Sequence, residues 1–136
     1  MADKKIVHVV GTGTIGEPLI GILTDLRVPF GIDEVTFHKR TPLVDERAKV
    51  EDLVRRGAKL AVNKEGKSEF EKIGHKPVYE QVEALERATV VIDCTPAGNE
   101  NKASLYNKIK GPKGFIAQGS EFGFGRPYAR GINDEA

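Results

Sequence analysis

One cysteine, Cys94, is all the sequence holds among its 136 residues, which excludes an intramolecular disulfide and a structural zinc site built on thiolates. No apolar run approaches the length of a membrane span, and the start Met1-Ala2-Asp3-Lys4-Lys5 has none of the long hydrophobic region of a secretory signal. Neither sign of charge dominates. With 21 Lys+Arg against 20 Asp+Glu, nothing global draws the chain to nucleic acid, an anionic membrane or an acidic partner, so any electrostatic function is local. Internal repeats and low-complexity linkers are also missing. What remains is the composition of one cytoplasmic globular domain over residues 1–136, since 39% hydrophobic content at this length suffices for one compact core and not for two.

What is present is a glycine turn in a telling place. Ile6-Val7-His8-Val9-Val10 reads as a short apolar strand and leads directly into Gly11-Thr12-Gly13-Thr14-Ile15-Gly16. A helical pattern follows, with Ile15, Leu19, Ile22, Leu23 and Leu26 on one face. Glycine spacing alone is a weak signal in a chain with 15 glycines, but its position between strand and helix makes it specific for a dinucleotide pyrophosphate. The free N–H groups of the helix start and the positive end of its dipole meet there. Gly11 serves the tight turn, Gly13 the approach of backbone to phosphate, and Gly16 the close packing of helix on strand.

Strand and helix patterns then alternate. Glu34 to His38 reads as a strand, Val44 to Arg56 as a helix closed by Gly57, and Lys59 to Val62 as a strand. Ser68 to Ile73 reads as a short helix stopped by Gly74, and Tyr79 to Arg87 as a partly exposed helix. Thr89 to Cys94 is the strongest strand, unbroken by polar alternation until Asp93 and therefore expected at the centre of the sheet. A helix over Asn101 to Ile109 and a strand over Gly114 to Gln118 follow. This order predicts an α/β fold with a doubly wound parallel sheet, the Rossmann NAD(P)-binding fold. Phe122 to Tyr128 is a loop of glycines and aromatics, and Ile132 to Ala136 reads as a helix just begun.

Ligands of such a sheet lie across the carboxyl ends of the strands, so the candidate cofactor-binding residues are Gly11, Gly13, Thr14, Ile15, Gly16, His38, Lys39, Arg40, Thr41, Thr95, Pro96, Gln118 and Gly119. Where an NAD-specific domain commonly places an acid after its second strand, His38-Lys39-Arg40-Thr41-Pro42 offers cations and a hydroxyl, and no carboxylate follows until Asp45. A ribose 2′-phosphate suits that turn, which favours NADP over NAD. Cys94 continues a hydrophobic strand without a base partner and reads as a buried structural thiol. His8 reads as a packed core residue and His75 as a solvated one. No catalytic residue and no metal-ligating cluster is identified.

Gly11-Thr12-Gly13-Thr14-Ile15-Gly16, Arg56-Gly57-Ala58-Lys59-Leu60-Ala61-Val62, Val90-Val91-Ile92-Asp93-Cys94-Thr95-Pro96 and Ile116-Ala117-Gln118-Gly119-Ser120-Glu121 resemble the N-terminal half of archaeal-type (type II) glyceraldehyde-3-phosphate dehydrogenase. The resemblance runs in order over nearly the whole chain. It implies cofactor binding at Thr14, Ile15, Lys39, Arg40 and Gly119. In that family a cysteine thiolate attacks an aldehyde, the hemithioacetal gives hydride to the nicotinamide, and inorganic phosphate releases the acyl group. The resemblance also implies that Asn133-Asp134-Glu135-Ala136 comes shortly before the catalytic cysteine, so that this chain holds the cofactor's cradle without the catalytic half and is inactive alone. The spacing from His38 to Arg56 is longer than the family's pattern. The cofactor domain of a homoserine or aspartate-semialdehyde dehydrogenase, or a free-standing nucleotide-binding module, stays open as an alternative. A crossover cut short would leave sheet edge and apolar surface uncovered, and self-association into a dimer or larger oligomer is the expectation.

Overall fold

The computed structural model describes residues 4–118 and 123–128. β1 (Ile6–Val10) runs through the glycine turn into α1 (Gly16–Asp25) and the single turn α2 (Arg27–Phe30), then β2 (Glu34–His38). A 3₁₀ turn, Val44–Glu46, precedes α3 (Arg47–Arg56), and β3 (Lys59–Val62) follows. After a second 3₁₀ turn, Lys64–Gly66, come α4 (Lys67–Lys72), β4 (Tyr79–Glu80), α5 (Gln81–Arg87) and β5 (Val90–Asp93). α6 (Gly98–Ser104), a 3₁₀ turn Tyr106–Lys108 and β6 (Gly114–Ala117) complete the order.

All strand pairs are parallel, in the order β4-β3-β2-β1-β5-β6. The chain winds outward from β1 to β4, then returns to β1's other edge with β5. That reversal makes the architecture a Rossmann-like doubly wound sheet with its switch point between β1 and β5. Successive strand residues point to opposite faces, and the two cores divide accordingly. Val9, Val35, Phe37, Leu60 and Val62 meet Ile20 of α1, Val50 and Leu53 of α3 and Phe70 of α4 on one face. Val10 and Val91 meet Leu85, Tyr106 and Phe124 on the other.

Four local expectations change. Val44 to Arg56 is a 3₁₀ turn followed by a helix, and Asn101 to Ile109 divides into the end of α6 and a 3₁₀ turn. The window from Tyr79 is not wholly helical: Tyr79 and Glu80 pair with Ala61 and Val62 as an edge strand, and α5 starts only after Glu80. Glu80 is the helix cap, a position that requires extended backbone, and it forms a reciprocal capping box with Glu83. β5 is interior, between β1 and β6, yet β2 is the strand buried at every residue. His75 is a further correction, buried rather than solvated. Gly74 adopts the left-handed conformation, φ +93°, and reverses the chain so that the His75 N–H reaches Phe70 O at 3.1 Å and its ring lies 6.2 Å from the Phe70 ring.

Candidate functional site at the sheet's switch point

Val10 stands beside His38 on one neighbouring strand and beside Asp93 on the other, so three strands end together. The glycine turn leaves from the middle of the three. Gly11, at φ +104°, packs against Thr95: a Cβ on Gly11 would lie 2.9 Å from Thr95 Cγ2. A Cβ on Gly16 would lie 2.0 Å from Gly11 O, so the helix can start here only with a bare α-carbon at that position. Gly13 is different. Its φ is not positive, and a Cβ there would meet nothing within 4 Å. The protein's own packing gives no reason for glycine at position 13, as it gives none at Gly114 or Gly125.

The Glu17 N–H bonds Gly13 O at 3.1 Å and the Leu19 N–H bonds Ile15 O at 3.2 Å. The N–H groups of residues 13 to 16 therefore precede the helical ladder, orphan donors as at any helix start, and Pro18 adds no donor to compete. Gly13, Thr14 and Ile15 are exposed. Together they form a row of donors at the positive end of α1, chemistry that suits a pyrophosphate.

The second wall comes from β5. Asp93, with no solvent exposure, accepts hydrogen bonds from Thr95 N–H at 2.8 Å, Thr95 Oγ1 at 2.6 Å, Asn101 Nδ2 at 2.9 Å and the Tyr106 hydroxyl at 2.5 Å. Burial and the neighbouring Asp93 push the Tyr106 phenol far above its ordinary pKa, so it remains a donor. The effect is to clamp the turn Thr95 to Gly98 against the glycine turn, with Pro96 exposed beside it. Gln118 N–H bonds Asp93 O at 3.0 Å, which brings the end of β6 to the same edge. Gly119 lies outside the described residues. The Cys94 thiol is half-buried and pushed up to about 11 by burial and the Asp93 charge, so it is protonated at neutral pH.

At the end of β2 the expected residues separate. His38 is buried and donates through Nε2 to Asn63 Oδ1 at 2.8 Å; burial holds it below its ordinary pKa, so it carries no charge toward the turn at neutral pH. Lys39 is buried as well, and its ammonium bonds the Glu46 carboxylate and, at 3.4 Å, Thr12 Oγ1. Arg40 and Thr41 are exposed. Lys49 from α3 joins them, donating to Thr12 O at 3.0 Å and to Glu46 Oε1 at 3.4 Å.

Glu46, Lys49, Asp93, Asn101 and Tyr106 were not among the sequence-derived candidates. Asp93 carried a readable signal, an acid closing the most apolar strand, because a buried charge requires partners. Glu46 and Lys49 carried none, lying in an ordinary charged helix start. A hollow of about 790 Å³ opens at the opposite, amino end of the strands, between Lys5, Phe30, Arg87 and Lys113. It is remote from the carboxyl ends where this architecture takes its ligands. No protein-family model matches the chain.

Proposed function

We propose that the chain is the cofactor-binding domain of an NADP-preferring oxidoreductase of the kind it resembles, phosphorylating glyceraldehyde-3-phosphate dehydrogenase. The glycine turn between β1 and α1, its backbone exposed from Gly13 to Ile15 at the switch point of a doubly wound sheet, carries this reading. In it the pyrophosphate takes the N–H groups from Gly13 to Gly16. The adenosine ribose turns toward Lys39, Arg40 and Thr41, and the nicotinamide half toward Thr95, Pro96, Gln118 and Gly119. The dinucleotide, when bound, supplies a hydride acceptor. The chain's own residues bind it, orient it and hold its phosphates, while Cys94, protonated and without a base, takes no nucleophilic part.

Gly13→Val tests the reading. Its side chain enters open space, so the melting temperature should stay within about 2 °C of the parent's. Calorimetric titration should show tight binding of NADP and weaker binding of NAD by the parent, and neither by the variant. Unchanged affinity in the folded variant ends the assignment.

A further inference from the structure

Glu46 is held by two ammonium groups at the edge of the glycine turn. Lys39, 6% exposed, bonds its Oε2, and Lys49 reaches its Oε1 at 3.4 Å; Glu46 itself is the most exposed of the three at 30%. Both lysines also reach Thr12 within the turn, one at its hydroxyl and one at its carbonyl oxygen, and Lys49 lies 3.7 Å from Glu17 Oε2 as well. Arg40 is exposed next to Lys39. Cations from the end of β2 and from α3 thus converge on the Glu46 carboxylate, with Glu17 a second anion beside Lys49.

On the dinucleotide reading above, we propose that Glu46 moderates the choice of NADP over NAD by competing for the cations that a ribose 2′-phosphate would use. A 2′-phosphate carries close to two negative charges and reaches Lys39 and Lys49 only by displacing the carboxylate, against like-charge repulsion on the way in. A ribose 2′-hydroxyl meets no such opposition and can donate to the carboxylate as it stands. Glu46 therefore lowers the NADP preference that Lys39, Arg40 and Lys49 would otherwise supply.

The test is the ratio of NADP to NAD affinity, measured by calorimetry on the full chain. In Glu46→Gln the ratio should rise about tenfold, and added salt should erode the gain. An unchanged ratio, or one that shifts toward NAD, overturns the proposal. Because Glu46→Gln strips a buried lysine of its counter-ion, Lys39→Met/Glu46→Gln is measured beside it. With Lys39 removed and Lys49 freed of the carboxylate, the ratio should lie between the parent's and that of Glu46→Gln. A tenfold fall in that double variant would show that Lys39 serves the phosphate unopposed, which also overturns the proposal. If the parent binds neither dinucleotide, the cofactor reading itself falls and this inference with it; if it binds both and Glu46→Gln leaves the ratio unmoved, only this inference falls.

Discussion

Gly11, Gly13 and Gly16 share a turn and differ in what demands them. Gly11 is held by its left-handed φ of +104° and by Thr95, and Gly16 by a carbonyl oxygen 2.0 Å from where its Cβ would stand. Neither demand involves a ligand. A methyl at position 16 must push backbone away from backbone, so Gly16→Ala should cost roughly 3 kcal/mol and lower the melting temperature by about 10 °C. Thermal unfolding followed by circular dichroism measures it. A Gly16→Ala protein as stable as the parent would mean that α1 can slide off β1 and that the turn is softer than its geometry implies. Set beside the Gly13→Val variant, the result separates a glycine the fold needs from one whose surroundings the fold leaves open.

Among the elements, β2 does the most joining. Its first residue, Glu34, is buried and takes Lys59 of β3 at 2.6 Å, Arg87 of α5 at 2.7 Å and the Tyr79 hydroxyl of β4 at 3.4 Å. The Arg87 guanidinium lies 4.1 Å from the centre of the Tyr79 ring, closing the cluster. Burial alone would raise the Glu34 carboxyl's pKa; the hydrogen bonds from Arg87 and Lys59 outweigh it and hold the group below its ordinary value. Glu34→Gln keeps the shape and removes the charge, leaving Arg87 and Lys59 without their anion. Loss of about 1–3 kcal/mol is expected from urea denaturation at pH 7, and the deficit should shrink as the pH falls below the carboxyl's ordinary value, where the unfolded chain takes up a proton that the native carboxylate still resists. A deficit that stays constant down to pH 3 would show that the charge is not what matters. β4, two residues long and absent from the sequence reading, owes its place at the sheet edge to this cluster and to pairing with Ala61 and Val62.

The whole molecule is asymmetric about its sheet. Val9, Val35, Phe37, Leu60 and Val62 line one face with buried apolar side chains. The alternate residues of the same strands, Glu34, Thr36, His38 and His8, put a buried polar layer on the other, with Asp93 of β5 in line with them. His8 shares a 2.6 Å hydrogen bond between its Nδ1 and Thr36 Oγ1, and its Nε2 is buried without a partner. Burial, with the nearby His38 adding to it, lowers its pKa from the ordinary 6.5 to about 3. The native state therefore keeps His8 neutral while the unfolded chain takes up a proton below pH 6.5. The contribution of His8 to stability is complete above that pH and is expected to fall by about 1.4 kcal/mol per pH unit below it, until His8 itself titrates near 3. His8→Leu should lose less stability than the parent between pH 6.5 and 4.5, by about 2–3 kcal/mol, as read from urea midpoints at several pH values. Equal pH dependence in the two proteins would place the acid sensitivity in other groups, His38 first among them.

What the sequence by itself determined is local. The strands Ile6–Val10, Glu34–His38 and Lys59–Val62 stand where apolar residues and turn signals put them, because period and glycine placement act over a few residues. The glycine turn was legible for the same reason: strand, turn and helix follow one another without a gap. Tertiary structure decided which charges meet. Lys39 and Arg40 are neighbours that look alike as letters, yet Glu46 and Thr12 bury and occupy the first, while the second stands exposed. Asp93 and Tyr106, thirteen residues apart, meet because α6 and the turn after it bring the chain back over the end of β5. His75 is buried because one left-handed glycine folds it onto Phe70. A side chain's partner depends on register and on the handedness of crossovers, which are properties of the assembled sheet and of no single segment.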